Sequence, residues 1–408
     1  MSGIGATRLG VPVDVLIIGG GPAGLATGLA CRRQGLSVRV IEPSAPGRDK
    51  PCGEGLMPDA VACLERLGVD LSDAGRVFRG IRYCDRESDV RGTFPDGPGI
   101  GVRRTVLHQR LFEASRSAGV EVVRGRVEGL ERRGSGRGEW AARWNGGLLE
   151  ARVLIGADGL RSACRGWAGL GVPGLGDSGL GDSGLAGSGA SRRRRFGVRR
   201  HFVVPAWGDR VEVHWHAGVE AYVTPVESDL VGVAILWTDP PVAGPSASAG
   251  KPVFDHLLAR FPRLVEQLAS SSPASPAAGC GPLAQRARGS VSENLALVGD
   301  AAGYLDAITG EGMAVAFAEA EAVAAAIRDG DLARYQRERR RIVRRPEIIT
   351  RLALLLSRRP ALRGRALRAF AAEPALFDRV LALHVGAQKS GEVRLAAAFL
   401  ARLLAPAR

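Results

Sequence analysis

Between Asp14 and Gly28 the chain reads Asp-Val-Leu-Ile-Ile-Gly-Gly-Gly-Pro-Ala-Gly-Leu-Ala-Thr-Gly. An apolar run, Val15 to Ile18, breaks into glycines at 19, 21 and 24. Such a run reads as a strand buried on both faces of a parallel sheet. The G-x-G-x-x-G spacing allows a tight turn at Gly19, close approach of a pyrophosphate at Gly21, and close helix–strand packing at Gly24. Pro22 and Ala23 open the helix, where free N–H groups and the positive dipole end meet the phosphate. A second strand, Ser37 to Ile41, ends in Glu42, 18 positions after Gly24. That is close to the spacing of a carboxylate that holds a ribose hydroxyl. The segment predicts an α/β fold that binds a dinucleotide.

With 408 residues, 45% of them hydrophobic, the chain has material for two or three domains and a sizeable core. Its leader, Met1 to Val11, lacks the apolar stretch of a signal peptide, and no run is long enough to span a bilayer. Six cysteines (31, 52, 63, 84, 164 and 280) show no C-x-x-C spacing. This argues against a metal site or a disulfide framework and fits a reducing cytoplasm. Of the net charge of +14, +12 falls in residues 331–408, which carry 18 Arg plus Lys against 6 Asp plus Glu. A basic tail suits a membrane surface or a solvated helical face. Its aromatics are too few for stacking on nucleic acid bases, so no nucleic-acid partner is expected.

Periodicity predicts helices over 59–67, 105–118, 253–270 and 312–327 and strands over 81–93, 120–127 and 295–298, with a hairpin over 139–154. Residues 196–237 are strand-rich, and 240–252 read as a loop. Residues 169–190 repeat Gly-Leu-Gly-Asp-Ser and predict a flexible Gly/Ser loop. The basic end is expected to be helical, broken at Pro346, Pro360 and Pro374.

Two further motifs follow apolar strands. Gly156-Ala-Asp-Gly159 comes after Val153 to Ile155 and leads to Arg161, Ser162 and Arg165. Gly299-Asp-Ala-Ala-Gly303 comes after Leu295 to Val298 and runs through Asp306 into Gly310-Glu-Gly312 and a helix. Each places an acid on a glycine-flanked turn at a strand's C-terminal end, where open α/β sheets bind ligands. With these three motifs in order, residues 12–330 resemble the FAD-dependent monooxygenases that hydroxylate aromatic rings, and the related geranylgeranyl reductase-like and flavin halogenase families. The resemblance implies a Rossmann-like FAD domain of the glutathione reductase type, an inserted mixed β-sheet substrate domain and a basic helical C-terminal segment. The FAD domain is expected over 12–79, 102–191 and 284–330, the substrate domain over 80–101 and 192–283, and the helical segment over 331–408. Gly19, Gly21, Gly24 and Glu42 would then bind the ADP half of FAD. Arg104, in Arg104-x-x-Leu107-x-x-x-Leu111, would approach the FAD phosphates. Asp158 would serve FAD and the nicotinamide donor. Gly299 and Asp300 would hold the ribityl chain, and Gly310, Gly312 and Met313 would meet the flavin edge. Many members continue G-D-A-A-H-x-x-x-P-x-x-G-Q-G-x-N, whereas this chain has Gly303, Ala307, Glu311 and Ala314 in place of the His, Pro, Gln and Asn.

Lys50-Pro-Cys-Gly-Glu-Gly55 is similar to the Cys-Gly segment of geranylgeranyl reductase-like proteins. Glu54 is a candidate to meet the isoalloxazine region or a substrate proton, and Cys52 is either a redox thiol or a small buried residue. The Trp-x-Trp-x-Ile-Pro motif of halogenases and the Tyr-x-Trp-x-Phe-Pro motif of prenyl reductases are absent, with Tyr222-Val-Thr-Pro225 nearest to the latter. His214 and His216 share a strand face with Glu212 and are candidates to remove a phenolic proton. With one G-x-G-x-x-G, NAD(P)H is expected to dock transiently. The activity implied is hydroxylation of a hydrophobic aromatic or polyketide-like molecule with NAD(P)H and O2, through a flavin C4a-hydroperoxide. The alternatives are reduction of isoprenoid double bonds and halogenation.

Overall fold

A computed structural model describes residues 13–132, 140–145, 147–172, 194–238 and 251–387. The leader, most of the Gly/Ser stretch, the 240–250 link and the chain beyond 387 lie outside the described residues.

A six-stranded sheet forms the base. Its order is Val291–Ser292, Leu295–Leu297, Ala151–Gly156, Val13–Ile18, Val38–Glu42 and Glu121–Arg124. The first pair is antiparallel and the rest are parallel. Val15, Leu16, Ile17 and Ile18 are all buried, as an unbroken apolar run in a central parallel strand must be. Asp14 sets the register at the start of this strand, because Ser37 donates to Asp14 Oδ2 from both its backbone N (2.9 Å) and its hydroxyl (2.8 Å). Those bonds hold the Asp14 carboxyl below its ordinary range. Helices Pro22–Arg33, Arg104–Ser117 and Gly312–Arg328 share a core with this sheet.

An eight-stranded sheet lies over it. The path runs Ser272–Pro273, Arg195–Val203, Leu230–Thr238, Val219–Glu227, Val211–His216, Gly80–Cys84 and Asp89–Thr93, with Ala278–Cys280 also on Arg195–Val203. The reading of 81–93 as one strand is corrected here. It is a hairpin that turns at 85–88. The sheet's outer face (Val198, Val219, Ala221, Val223, Val233, Ile235) packs on Phe254, Leu257, Phe261 and Leu264 of two short helices, Lys251–Leu258 and Pro262–Gln267. Expected as one helix over 253–270, this stretch divides where Pro262 starts a new N-terminus.

Helices Leu332–Arg358, Pro360–Ala372 and Pro374–His384 close the described chain. Pro360 and Pro374 begin helices, but Pro346 does not break one. It is buried inside the 27-residue helix, on the same side as Thr350 and Leu354. Packing there outweighs the lost backbone bond, normally a cost of about 3 kcal/mol. Leu354, Leu367, Phe370, Phe377 and Leu381 bury against Ile81, Val90, Phe94 and Trp215, so these clusters are packing faces. Tyr335 ties the long helix to the base, donating to Leu297 O at 2.7 Å.

One buried ionic knot joins the upper sheet to the loop that follows the base strand Leu295–Leu297. Arg195 Nη2 donates to Glu220 at 2.7 Å, and Arg195 Nε donates to Asp306 at 2.8 Å, with all three side chains at most 4% exposed. Asp306 belongs to the loop after Gly303, so the upper sheet grips that loop directly. Arg195→Met leaves two buried carboxylates uncompensated and is expected to cost about 3–5 kcal/mol in urea unfolding. A loss below about 1 kcal/mol would contradict the assignment.

Candidate functional site

Three glycine turns meet at the C-terminal ends of the base strands. A Cβ at Gly24 would stand 1.9 Å from Gly19 O, and one at Gly19 would stand 2.5 Å from Ala157 O. A Cβ at Gly299 would meet Ala23 Cβ at 2.8 Å, and Gly299 has a φ of +59°. Gly19 and Gly24 admit only glycine because backbone packs on backbone, and Gly299 because its positive φ and the Ala23 methyl leave no room for a side chain. At Gly21, by contrast, a Cβ would meet nothing within 4 Å. That open space lies at the N-terminus of helix Pro22–Arg33, where an anion is favoured.

Beside Gly20 and Gly21 lies a cavity lined by Glu42, Lys50, Arg104 and His108. Glu42 accepts from Gly20 N (2.7 Å) and Ser44 N (2.9 Å), which aims its carboxylate at the mouth. Gly47 N donates to His108 Nδ1 at 3.0 Å, so the ring proton sits on Nε2 and is donated to Gly20 O at 2.8 Å. Burial pulls His108 below the ordinary imidazole value and keeps it neutral. Arg104 is 5% exposed, and its Nη1 is buried without a hydrogen-bond partner. An orphaned guanidinium nitrogen beside an open glycine turn fits a pyrophosphate. His108 was not anticipated; its signal was the i, i+4 spacing from Arg104 on a helix face that also buries Leu107 and Leu111.

Asp158 spends its carboxylate on its own turn, accepting from Ser162 Oγ (2.5 Å) and Cys164 N (3.0 Å). Those bonds shape the turn that Gly19 touches. Arg165 then bridges two motifs, donating to the carbonyls of Asp300 (3.3 Å), Ala301 (3.1 Å) and Leu160 (3.2 Å). Glu319, on helix Gly312–Arg328, accepts Gly299 N at 2.6 Å and pairs with Arg339 at 2.8 Å. Burial pushes Glu319 up to about 7 and Asp300 up to about 6, the latter against the pull of Lys50, Arg104 and Arg165.

The loop before that helix and the helix's first turn hold the departures from the family pattern. Gly303 has a φ of +122°, a conformation strained for any side chain. Glu311 is buried, with Arg345 at 3.7 Å and His384 at 3.6 Å, both from the closing helices. Ala314 faces the core. Gly310 (φ +73°) meets Met57, and Gly312 meets Tyr304, while Met313 packs against the core. Above them, Tyr222 donates to Ile308 O at 2.9 Å and Thr224 to Gly53 O at 2.8 Å, so the upper sheet roofs both loops.

Cys52 and Glu54 sit beneath this roof. Cys52 Sγ accepts Glu54 N at 3.3 Å, and burial raises the thiol, so near neutrality it is protonated and occupied within its turn. Glu54 is 4% exposed with a φ of +60°. Its Oε1 accepts Arg104 N at 2.8 Å, and its Oε2 lies 2.5 Å from His201 Nε2.

His214 and His216 are not brought to this place. Strand alternation puts Val211, Val213 and Trp215 on the inner face and Glu212, His214 and His216 on the outer one. There both rings lie edge-on to Phe261, and His214 pairs with Glu212 at 3.0 Å. The upper-sheet histidine that does face the loops is His201, fully buried and 147 positions from Glu54. No local pattern announces that pairing. Among the described residues no cluster could hold a metal, all six cysteines are free, and no helix is long and apolar enough to cross a membrane.

Burial pushes Glu311 up to about 8. Ionising it therefore costs the native state at every pH between its unfolded value and that one. Relative to wild type, Glu311→Gln is expected to gain up to about 1.4 kcal/mol per pH unit from pH 5 to 8. Urea unfolding across that range measures it, and a constant difference would contradict it.

Residues 12–347 match the family model described as FAD binding domain. Menaquinone reductase of Mycolicibacterium smegmatis is 35% identical over 156 residues, 36% of this chain and 38% of that protein. Phenazine 1,6-dicarboxylic acid hydroxylase of Lysobacter antibioticus is 35% identical over 170 residues, 37% of this chain and 42% of that one. The matches thus span about four-tenths of these two relatives. Digeranylgeranylglycerophospholipid reductase 1 of Methanothermobacter thermautotrophicus is 26% identical over 347 residues, 78% of this chain and 79% of that protein. A flavin-dependent brominase shares the fold, with a TM-score of 0.76 at 19% identity over 96% of this chain and 98% of that one. The glycine turns, the open cradle at Gly21 and the family match agree: the chain belongs to the FAD binding domain family.

Proposed function

We propose that this protein uses NAD(P)H and O2 to hydroxylate a hydrophobic aromatic or polyketide-like small molecule. The observation that carries this reading is the roof. Arg195, Tyr222 and Thr224 fasten the upper sheet onto the two loops that border the cofactor site, which excludes water from it. When bound, FAD supplies electron transfer and oxygen activation. The chain's own residues bind and orient. Gly21 and the helix behind it take the pyrophosphate with the Arg104 guanidinium, and Glu42 takes ribose hydroxyls. Asp300 takes the ribityl chain, while Gly310, Gly312 and Met313 border the ring. The described residues contain one such nucleotide site, so NAD(P)H binds transiently. The hydroxylase among the relatives supports this chemistry.

A second reading, reduction of isoprenoid double bonds, is favoured by one observation. The Cys52–Gly55 segment lies under the roof, and the archaeal lipid reductase aligns over most of this chain. Incubation with NAD(P)H under 18O2 separates the two. Incorporation of one labelled oxygen into an aromatic substrate is expected, whereas reduction of a prenyl chain without oxygen uptake would establish the second reading. Arg104→Met is expected to weaken FAD binding at least about tenfold, the worth of a charge-assisted contact to phosphate. Fluorescence titration of the apoprotein measures it, and wild-type affinity would remove Arg104 from the phosphate site.

A further inference from the structure

We infer that His201, on the roof sheet, is a positioning residue for the cofactor phosphates, acting through Glu54 on Arg104. The inference rests on the assignment of Arg104 to the phosphates. Arg199 Nη1, which can only donate, lies 3.0 Å from His201 Nδ1. The Ser275 hydroxyl lies 2.8 Å from the same nitrogen; it also accepts His201 N at 3.1 Å and lies 3.3 Å from Pro276 O. Nδ1 is therefore an acceptor, and the ring proton sits on Nε2, donated to Glu54 Oε2 at 2.5 Å. The other oxygen, Oε1, takes the backbone N–H of Arg104 at 2.8 Å, at the first turn of helix Arg104–Ser117. The Arg103 guanidinium stands 3.7 Å from the same oxygen. One buried carboxylate thus clamps the helix start that carries the phosphate arm to a strand of the other sheet.

Three further observations show that the clamp is built. Glu54 holds a left-handed φ of +60°, a conformation kept in a non-glycine residue only where its surroundings impose it. Gly232 faces the contact, and a Cβ there would stand 3.3 Å from Glu54 Oε2 and 3.7 Å from His201 Cδ2. Arg199 also holds the preceding stretch, donating to Asp49 Oδ1 (2.5 Å) and Lys50 O (3.3 Å), and Lys50 lines the cofactor cavity. The roof strand therefore holds the backbone of two of the cations that line the cavity, Lys50 directly and Arg104 through Glu54.

The test is FAD affinity of the apoprotein by fluorescence quenching, in a double-mutant cycle. His201→Leu is expected to weaken binding at least tenfold, and His201→Gln, which keeps an N–H toward Glu54, by no more than threefold. In an Arg104→Met background His201→Leu should add less than a twofold further loss. Hydrogen exchange at the Arg104 amide, read without FAD, should quicken at least tenfold in His201→Leu. Should that variant fail to fold, Gly232→Ala keeps every donor, presses on the contact, and is expected to weaken FAD binding three- to tenfold. Wild-type affinity in His201→Leu or Gly232→Ala, or losses that multiply with that of Arg104→Met, would overturn the inference. Wild-type affinity in Arg104→Met would instead sink the phosphate assignment on which it rests, a separate outcome.

Discussion

The rest of this structure depends on glycine main chain packed at close range at the ends of three parallel strands. Gly19 lies against Ala157, Gly24 against Gly19, and Gly299 against Ala23. A single Cβ at any of these positions collides, and the collision partners at Gly19 and Gly24 are main-chain atoms that no rotamer change can move. The close approach brings the turns of three strands to one point, leaving the N-terminus of helix Pro22–Arg33 free to face a phosphate. Glu42, Asp300 and Arg104 then converge because their elements are placed by these contacts, not because they contact one another strongly.

Around that point the molecule spends charge in its interior. Arg195 with Glu220 and Asp306, Glu319 with Arg339 and Gly299 N, and Glu54 with His201 and Arg104 N each link two elements distant in sequence. Buried ionic groups are weak sources of net stability but demanding about geometry. Here each lies between a loop or turn of the cofactor site and a neighbouring sheet or helix, so their effect is to hold the site's register. The closing helices take part as well, since Tyr335, Arg339 and Arg345 all come from one long helix.

The base of the fold was legible in the chain because its signals are local. A buried parallel strand, a glycine turn and a helix start occupy fifteen consecutive residues, and each glycine has its own steric reason. The same held for the turns at 156–159 and 299–303. Local reasoning failed where burial overrode propensity, as at Pro346 inside a helix, and where a short polar turn was hidden in a strand-like stretch, as at 85–88.

The sequence by itself pointed to the FAD binding domain family and to its first glycine turn, because that turn is made by contiguous residues whose spacing is dictated by one strand end and one helix start. Tertiary structure alone decided which of the upper-sheet histidines faces the cofactor loops. Strand side chains alternate between two faces, and nothing within Val211–His216 states which face will be covered by the cofactor loops and which by outer helices. That choice was made by the packing of Phe261 and its neighbours on one side and of the 303–312 loop on the other. It left His214 and His216 outside and brought His201 onto a glutamate 147 residues away.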